Sequence, residues 1–156
     1  MSESKKLYIA SDHAGVQLKT FLQENVLRLL SQSGQKIEWV DLGPITEESV
    51  DYPDYAHKLS HEVLKSGVPL TEPCGVLICG SGIGVSMSAN KHEGIRAALV
   101  WTPELAKLSR AHNAANVLCL PARFLSTEDA KLILEAWLET EFEGGRHEKR
   151  VDKIDG

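Results

Sequence analysis

The sequence has no run approaching the ~20 consecutive apolar residues of a membrane-spanning helix, so no membrane span is expected. Its start, "MSESKKLYIASDH", places two lysines ahead of no apolar signal core, and a cytoplasmic protein is expected. Cysteine is scarce: Cys74, Cys79 and Cys119 form no Cys-x-x-Cys pair. An odd number of thiols fits a reducing compartment better than a disulfide framework, so each thiol is judged singly. Positive charge is also short, with 17 Lys and Arg against 22 Asp and Glu and a formal net charge of −5. That balance argues against nucleic acid or a basic membrane surface as a partner. An anionic ligand would have to be met by locally gathered positive charge. Internal repeats and low-complexity linkers are absent too, and 156 residues suffice for one domain, 1–156, with a substantial core.

What is present is alternation. "KLYIAS", "KIEWVDL", "CGVLIC", "IRAALVW" and "NVLCLP" read as strands, with helix-period segments between them. The pattern predicts an α/β, doubly wound (Rossmann-like) five-stranded parallel sheet with helices on both faces. The first helix carries Leu18, Phe21, Leu22, Leu29 and Leu30 and is expected to stop at Gly34. A second starts near Pro53 and ends by Gly67; a third starts near Val85. Thr102-Pro103-Glu104 opens another, and Ser126 with Asp129 reads as a capping pair before "AKLILEAWL". The tail from 139 to 156 turns polar and is expected to fold back or to dock on a partner subunit.

In such a sheet, ligands bind beyond the carboxyl ends of the strands. There "CGSGIG" follows the third strand. Gly80, Gly82 and Gly84 let backbone amides converge on an oxyanion, with a helix start behind them. The loop is not a dinucleotide fingerprint, because the third glycine of G-x-G-x-x-G would fall at Val85, nor a P-loop, which needs Gly-Lys-Ser/Thr. A dehydrogenase is therefore disfavoured. Cys79 at the loop's mouth faces amides that favour a thiolate, whereas Cys74 and Cys119 read as core. Ser81 either fills the turn or bonds a substrate oxygen. Asp12 and His13 follow the first strand, and His112 with Asn113 closes the fourth helix. Each is commonly a cap or dipole partner; together they are expected at the rim that carries the thiol. His57 and His61 have metal-ligand spacing with no third ligand in sequence, and His92 and His147 stand alone. In "EGGRHEKRVDKI", Arg146 and Arg150 share a helix face and offer the fork that phosphate prefers.

At this point the chain resembles the ribose-5-phosphate isomerase type B family, whose relatives isomerise allose 6-phosphate and galactose 6-phosphate. "SDHAG", "DYPDYA", "GVLICGSGIGVSMSANK", "GIRAALV", "SRAHNAANVL" and "AWLETEFEGGRHEKRVDKI" carry the likeness. The resemblance implies an aldose–ketose isomerisation through a cis-enediolate, with no metal or other cofactor. It implies Cys79 as the base, Ser81 and the Gly80–Gly84 amides on the oxyanion, and His112 in ring opening. Asp12 and Asn113 would hold sugar hydroxyls, and His13, Arg146 and Arg150 the phosphate, with Arg123 and Tyr52 as further site positions. One branch of the family has a glutamate where Val85 stands here; Cys79 puts this chain with the other branch. Family members form homodimers, sometimes tetramers, in which His112 and Asn113 would enter the neighbour's site. A 6-phosphohexose isomerase and a non-catalytic phosphosugar-binding module are the alternatives.

Overall fold

The computed structural model describes residues 4–30 and 34–156. Five strands, β1 (Lys5–Ser11), β2 (Ile37–Asp41), β3 (Gly75–Cys79), β4 (Ala97–Leu99) and β5 (Val117–Pro121), form one all-parallel sheet in the order β2-β1-β3-β5-β4. Among the described residues six α-helices accompany it: α1 (Val16–Asn25), α2 (Tyr52–Lys65), α3 (Ile83–Ala89), α4 (Pro103–Ala111), α5 (Thr127–Glu139) and α6 (Arg146–Val151).

Successive strand residues point to opposite faces, and both faces are apolar, as a sheet covered twice requires. Leu7, Ile9, Val76, Ile78, Leu118 and Leu120 pack with residues of α1, α4 and α5. The intervening Tyr8, Ala10, Leu77, Cys79, Val117 and Cys119 pack with α2 and α3. Cys74 and Cys119 are core, as expected, and Cys79 belongs to the α2–α3 face by the same parity.

The caps read from sequence form: Thr102 Oγ1 accepts from Leu105 N, and Ser126 Oγ from Asp129 N. The first helix differs, ending at Asn25 rather than Gly34. Beyond it the backbone turns back: Ile37 N donates to Leu27 O and Leu29 N to Gln35 O, beside an antiparallel Arg28–Lys36 bridge. Leu29 thus reaches the core from an extended segment, which satisfies the same spacing as a helix would. The part of the expected helix at 31–33 lies outside the described residues. β4 is also shorter than its apolar run. The tail returns to the domain, with Glu143 N donating to Ala111 O and Asp155 Oδ2 accepting from Gly94 N.

Candidate active site

Strand order decides where a crevice opens. The chain leaves β1 toward one edge and β3 toward the other, so the loops after these two neighbours part at their carboxyl ends. Between them lies a cleft of about 580 Å³ lined by Asp12, Tyr52, Cys79, Gly80, Ser81, Gly84 and Arg123. A cavity of about 620 Å³ elsewhere, around Lys5, Glu72 and Arg110, has neither thiol nor glycine loop.

Cys79 ends β3 and is 4% exposed, with its sulfur accepting a hydrogen bond from Gly82 N at 3.2 Å. Gly82 can turn its amide back because its φ is 72°; an added Cβ would also stand 2.5 Å from Leu99 Cδ1. That N–H is a donor aimed at the sulfur. The other thiols differ. Burial pushes Cys119 far up, with nearby Cys79 adding to it. Burial also raises Cys74, against the hydrogen bond from Ser66 and the charge of Lys5.

Around the thiol the loop is tightly held. Ser81 Oγ accepts from Ile83 N at 3.2 Å, which orients its hydroxyl over the first turn of α3. Arg123 N donates to Gly80 O at 3.0 Å, and its guanidinium crosses Gly80 so closely that a Cβ there would lie 3.0 Å from Nη1. The Tyr52 ring lies against Gly84 in the same way, and any side chain at Gly84 would collide with it. Asp12 N donates to Ile78 O, and its Oδ1 accepts from Ala14 N at 2.9 Å. His13 Nδ1 accepts from Val50 N at 3.2 Å, so a neutral ring carries its proton on Nε2.

His112, Asn113, Arg146 and Arg150 are not at this rim, which corrects the expectation that both imidazoles would meet the thiol. The reason is helix direction. α4 runs antiparallel to the strands, so its end returns to their amino ends. Arg110, one residue before its last, donates to Thr71 O ahead of β3 and to Ala115 O ahead of β5. Since Gly75 pairs with Val117 and Cys79 with Pro121, His112 and the thiol lie at opposite ends of strands whose terminal residues are about 13 Å apart. Arg146 and Arg150, one turn apart on α6, join His112 there through His147. The two imidazoles stack with centroids 4.2 Å apart. Desolvation, then the charges of His112, Arg146 and Arg150, hold His147 below the ordinary histidine pKa, against an opposing Glu143. Asn113 borders a separate hollow with Arg96 and Asp155.

Two features escape a reading of sequence. Ile83, Met87 and Phe124 border the cleft while Met87 stays 64% and Phe124 76% exposed; a helical apolar residue reads as core until its face is known. His57 and His61 do gain a third imidazole. His92 Nε2 lies 2.7 Å from His57 Nδ1, and its ring is edge-on to His61. His92 is 31 residues farther along, beyond any local spacing, and its pKa is lowered by desolvation and by its two neighbours.

A family model described as Ribose/Galactose Isomerase matches residues 7–154. The chain belongs to this family. It is 46% identical over 155 residues to a probable ribose-5-phosphate isomerase B of Mycoplasma pneumoniae, covering 99% of this chain and 95% of that one. With ribose-5-phosphate isomerase B of Escherichia coli the identity is 41% over 150 residues, 96% and 94% of the two chains. Among solved structures of the family, ribose-5-phosphate isomerase B of Mycoplasma genitalium with bound ribulose-5-phosphate superposes with a TM-score of 0.83, at 41% identity over 99% and 95% of the chains. The Thermotoga maritima enzyme gives 0.84 at 45% identity, covering 97% of each.

Proposed function

We propose that this chain interconverts ribose 5-phosphate and ribulose 5-phosphate by metal-free proton transfer through a cis-enediolate. The observation that carries the proposal is the Gly82 N–H on Cys79 Sγ, at the mouth of a glycine loop and inside the cleft. A thiolate so placed takes the C2 proton of the open-chain aldose and returns it to C1. The C2–H pair forms the C1=C2 bond and the carbonyl pair moves onto O1, whose charge falls to Ser81 and the amides of Gly80, Gly82 and Gly84. The O2 proton then passes to O1 and C1 is reprotonated, leaving the C2 carbonyl. Asp12, Tyr52 and Arg123 line the same cleft; Asp12 holds a sugar hydroxyl, His13 the phosphate, and Tyr52 and Arg123 are further site positions.

The remaining roles need a second chain. His112 for ring opening, Asn113 for a hydroxyl, and Arg146 and Arg150 for the phosphate are grouped at the sheet's other end. A homodimer in which the amino end of one protomer, with its tail 139–156, meets the cleft of the other completes the site, and pairing of dimers into a tetramer is compatible with it. Such an interface would also cover Met87 and Phe124, whose exposure costs the isolated chain. No described helix is long and apolar enough to cross a membrane; with three unpaired cysteines, we place the enzyme in the cytoplasm.

The test is isomerisation of ribose 5-phosphate by chelator-treated protein, run beside allose 6-phosphate and galactose 6-phosphate. Turnover of the pentose that survives chelation is expected, because an enediolate route needs a base and oxyanion donors whereas a hydride shift needs a metal to polarise the carbonyl. Loss with EDTA and recovery with a divalent ion would refute the mechanism. Preference for a hexose would move the substrate, and ligand binding without turnover would reduce the chain to a phosphosugar-binding module.

A further inference from the structure

His147 stands alone in the sequence and in company in the fold. Its Nε2 lies 3.7 Å from Glu143 Oε1, while His112 Nε2 lies 4.0 Å from Glu143 Oε2. These separations are too long for hydrogen bonds. One donor atom from each of the three residues nonetheless falls within 4.8 Å of the other two. The backbone fixes the grouping, because Glu143 N donates to Ala111 O beside His112, and His147 N donates to Gly144 O as α6 begins.

We propose that His112, Glu143 and His147 form a binding site for a transition-metal dication of the Zn²⁺ class. Zinc holds nitrogen and carboxylate oxygen at about 2.0–2.2 Å, so tetrahedral ligands sit roughly 3.3–3.6 Å from one another. Closing from 3.7 and 4.0 Å takes torsions of Glu143, whose side chain is mostly exposed. It also takes a ring rotation that unstacks the two imidazoles, now 12° from parallel, because a shared metal must lie in both ring planes. Two imidazoles and one carboxylate suit zinc, whereas Mg²⁺ and Ca²⁺ demand oxygen ligands. Three protein ligands leave a fourth position for water, the pattern of an open site. The charges of Arg146 and Arg150, which act on His147, oppose a cation and make the metal exchangeable rather than structural.

Occupancy has a consequence that rests on the role proposed for His112. A metal on Nε2 removes the lone pair with which that imidazole would accept or pass a proton, so the isomerase is reversibly inhibited by zinc although it uses none.

The test titrates Zn²⁺ into the metal-freed, full-length protein against a chromophoric chelator and measures ribose 5-phosphate isomerisation at each point. Expected are one zinc per chain at this site, turnover falling in parallel with its occupancy, recovery with EDTA, and no response to Mg²⁺. Glu143→Gln, at an exposed position, and His147→Ala should keep turnover without metal. Each should weaken zinc by at least the roughly 10–100-fold that follows loss of a ligand's supporting partner, and shift inhibition equally. His57→Ala, which breaks the other histidine group, should leave this binding unchanged. Zinc affinity unaltered in both Glu143→Gln and His147→Ala would overturn the site, and zinc bound there with full turnover would overturn the inhibition. Absence of any isomerisation in metal-free protein would instead refute the functional reading, while the chelator competition still decides the site.

Discussion

The two ends of the sheet differ in what their chemistry can do alone. At the carboxyl end, a buried thiol, a glycine loop and an aspartate share one cleft with exposed Met87 and Phe124 at its edge. At the amino end, a buried His147 stacks on a half-exposed His112 beside an exposed glutamate and the α6 arginines. The first has a candidate base and oxyanion donors but little positive charge beyond Arg123; the second has charge and proton carriers but no nucleophile. In an acidic chain the arginines that a phosphate dianion needs are gathered where the thiol is not. The chain order puts them there: α5 follows β5 back toward the strands' amino ends, and α6 begins beyond it. On the function proposed above, one chain would hold two halves of a site rather than a whole one.

The largest expected effect is the removal of the thiol. Cys79→Ala should lower kcat for ribose 5-phosphate by at least the roughly 10²–10⁴-fold attributed to a positioned base, with the fold and phosphate-ester binding retained. Cys119→Ala is the contrast: its thiol is fully buried and its pKa is pushed up, so it stays protonated and out of the reaction. That variant should lose stability to a small cavity but keep turnover per folded molecule. Steady-state kinetics beside thermal unfolding separate the two. Near-normal turnover by Cys79→Ala would leave the carboxyl-end cleft without its chemistry.

How much of this was legible in the sequence follows from which signals are local. Strands buried on both faces announce themselves as apolar runs, and a glycine loop between strand and helix is a contiguous word, so the sheet, Cys79 and its loop could be read directly. Leu29 and Leu30 could not: an extended return brings Leu29 to the core that helical spacing also predicts, but leaves Leu30 exposed. His112 ends α4 as expected, but that helix joins two parallel strands and must run back to their amino ends, away from Cys79. The contacts of His147 with His112 and of His92 with His57 join residues 35 apart. No periodicity reports such a pairing.

The arginines test the amino end by itself. Arg146→Ala or Arg150→Ala should raise KM for ribose 5-phosphate and lower kcat/KM by about 1.5–3 kcal/mol per lost charge-assisted hydrogen bond, because phosphate binding also orients the sugar for reaction. Lysine should rescue in part, keeping charge but losing the fork. A slow reaction on unphosphorylated ribose should barely respond. Unchanged kcat/KM in both alanine variants would make the α6 surface a solvated charge run, and the comparison between the two ends would lose one member.

The smallest expected effect is the sharpest for the division itself. Cys79→Ala protein has a damaged cleft and an intact amino end; His112→Ala protein has the reverse. If each site draws its thiol from one protomer and its imidazole from the other, a dimer of unlike variants contains one site with both lesions and one with none. Unfolding and refolding an equal mixture pairs unlike chains in half of the dimers, so about a quarter of wild-type activity should return. That is only a fourfold deficit, against a far larger one in either variant alone. If both groups served a site within one chain, no shuffling of chains could restore a whole site, and the mixture would be as inactive as its parts. Refolding each variant separately controls for damage during the cycle, and sizing the mixture confirms that dimers have re-formed. Activity near a quarter would join the two ends of the sheet across an interface, and activity at the level of the separate variants would return His112 to its own surface.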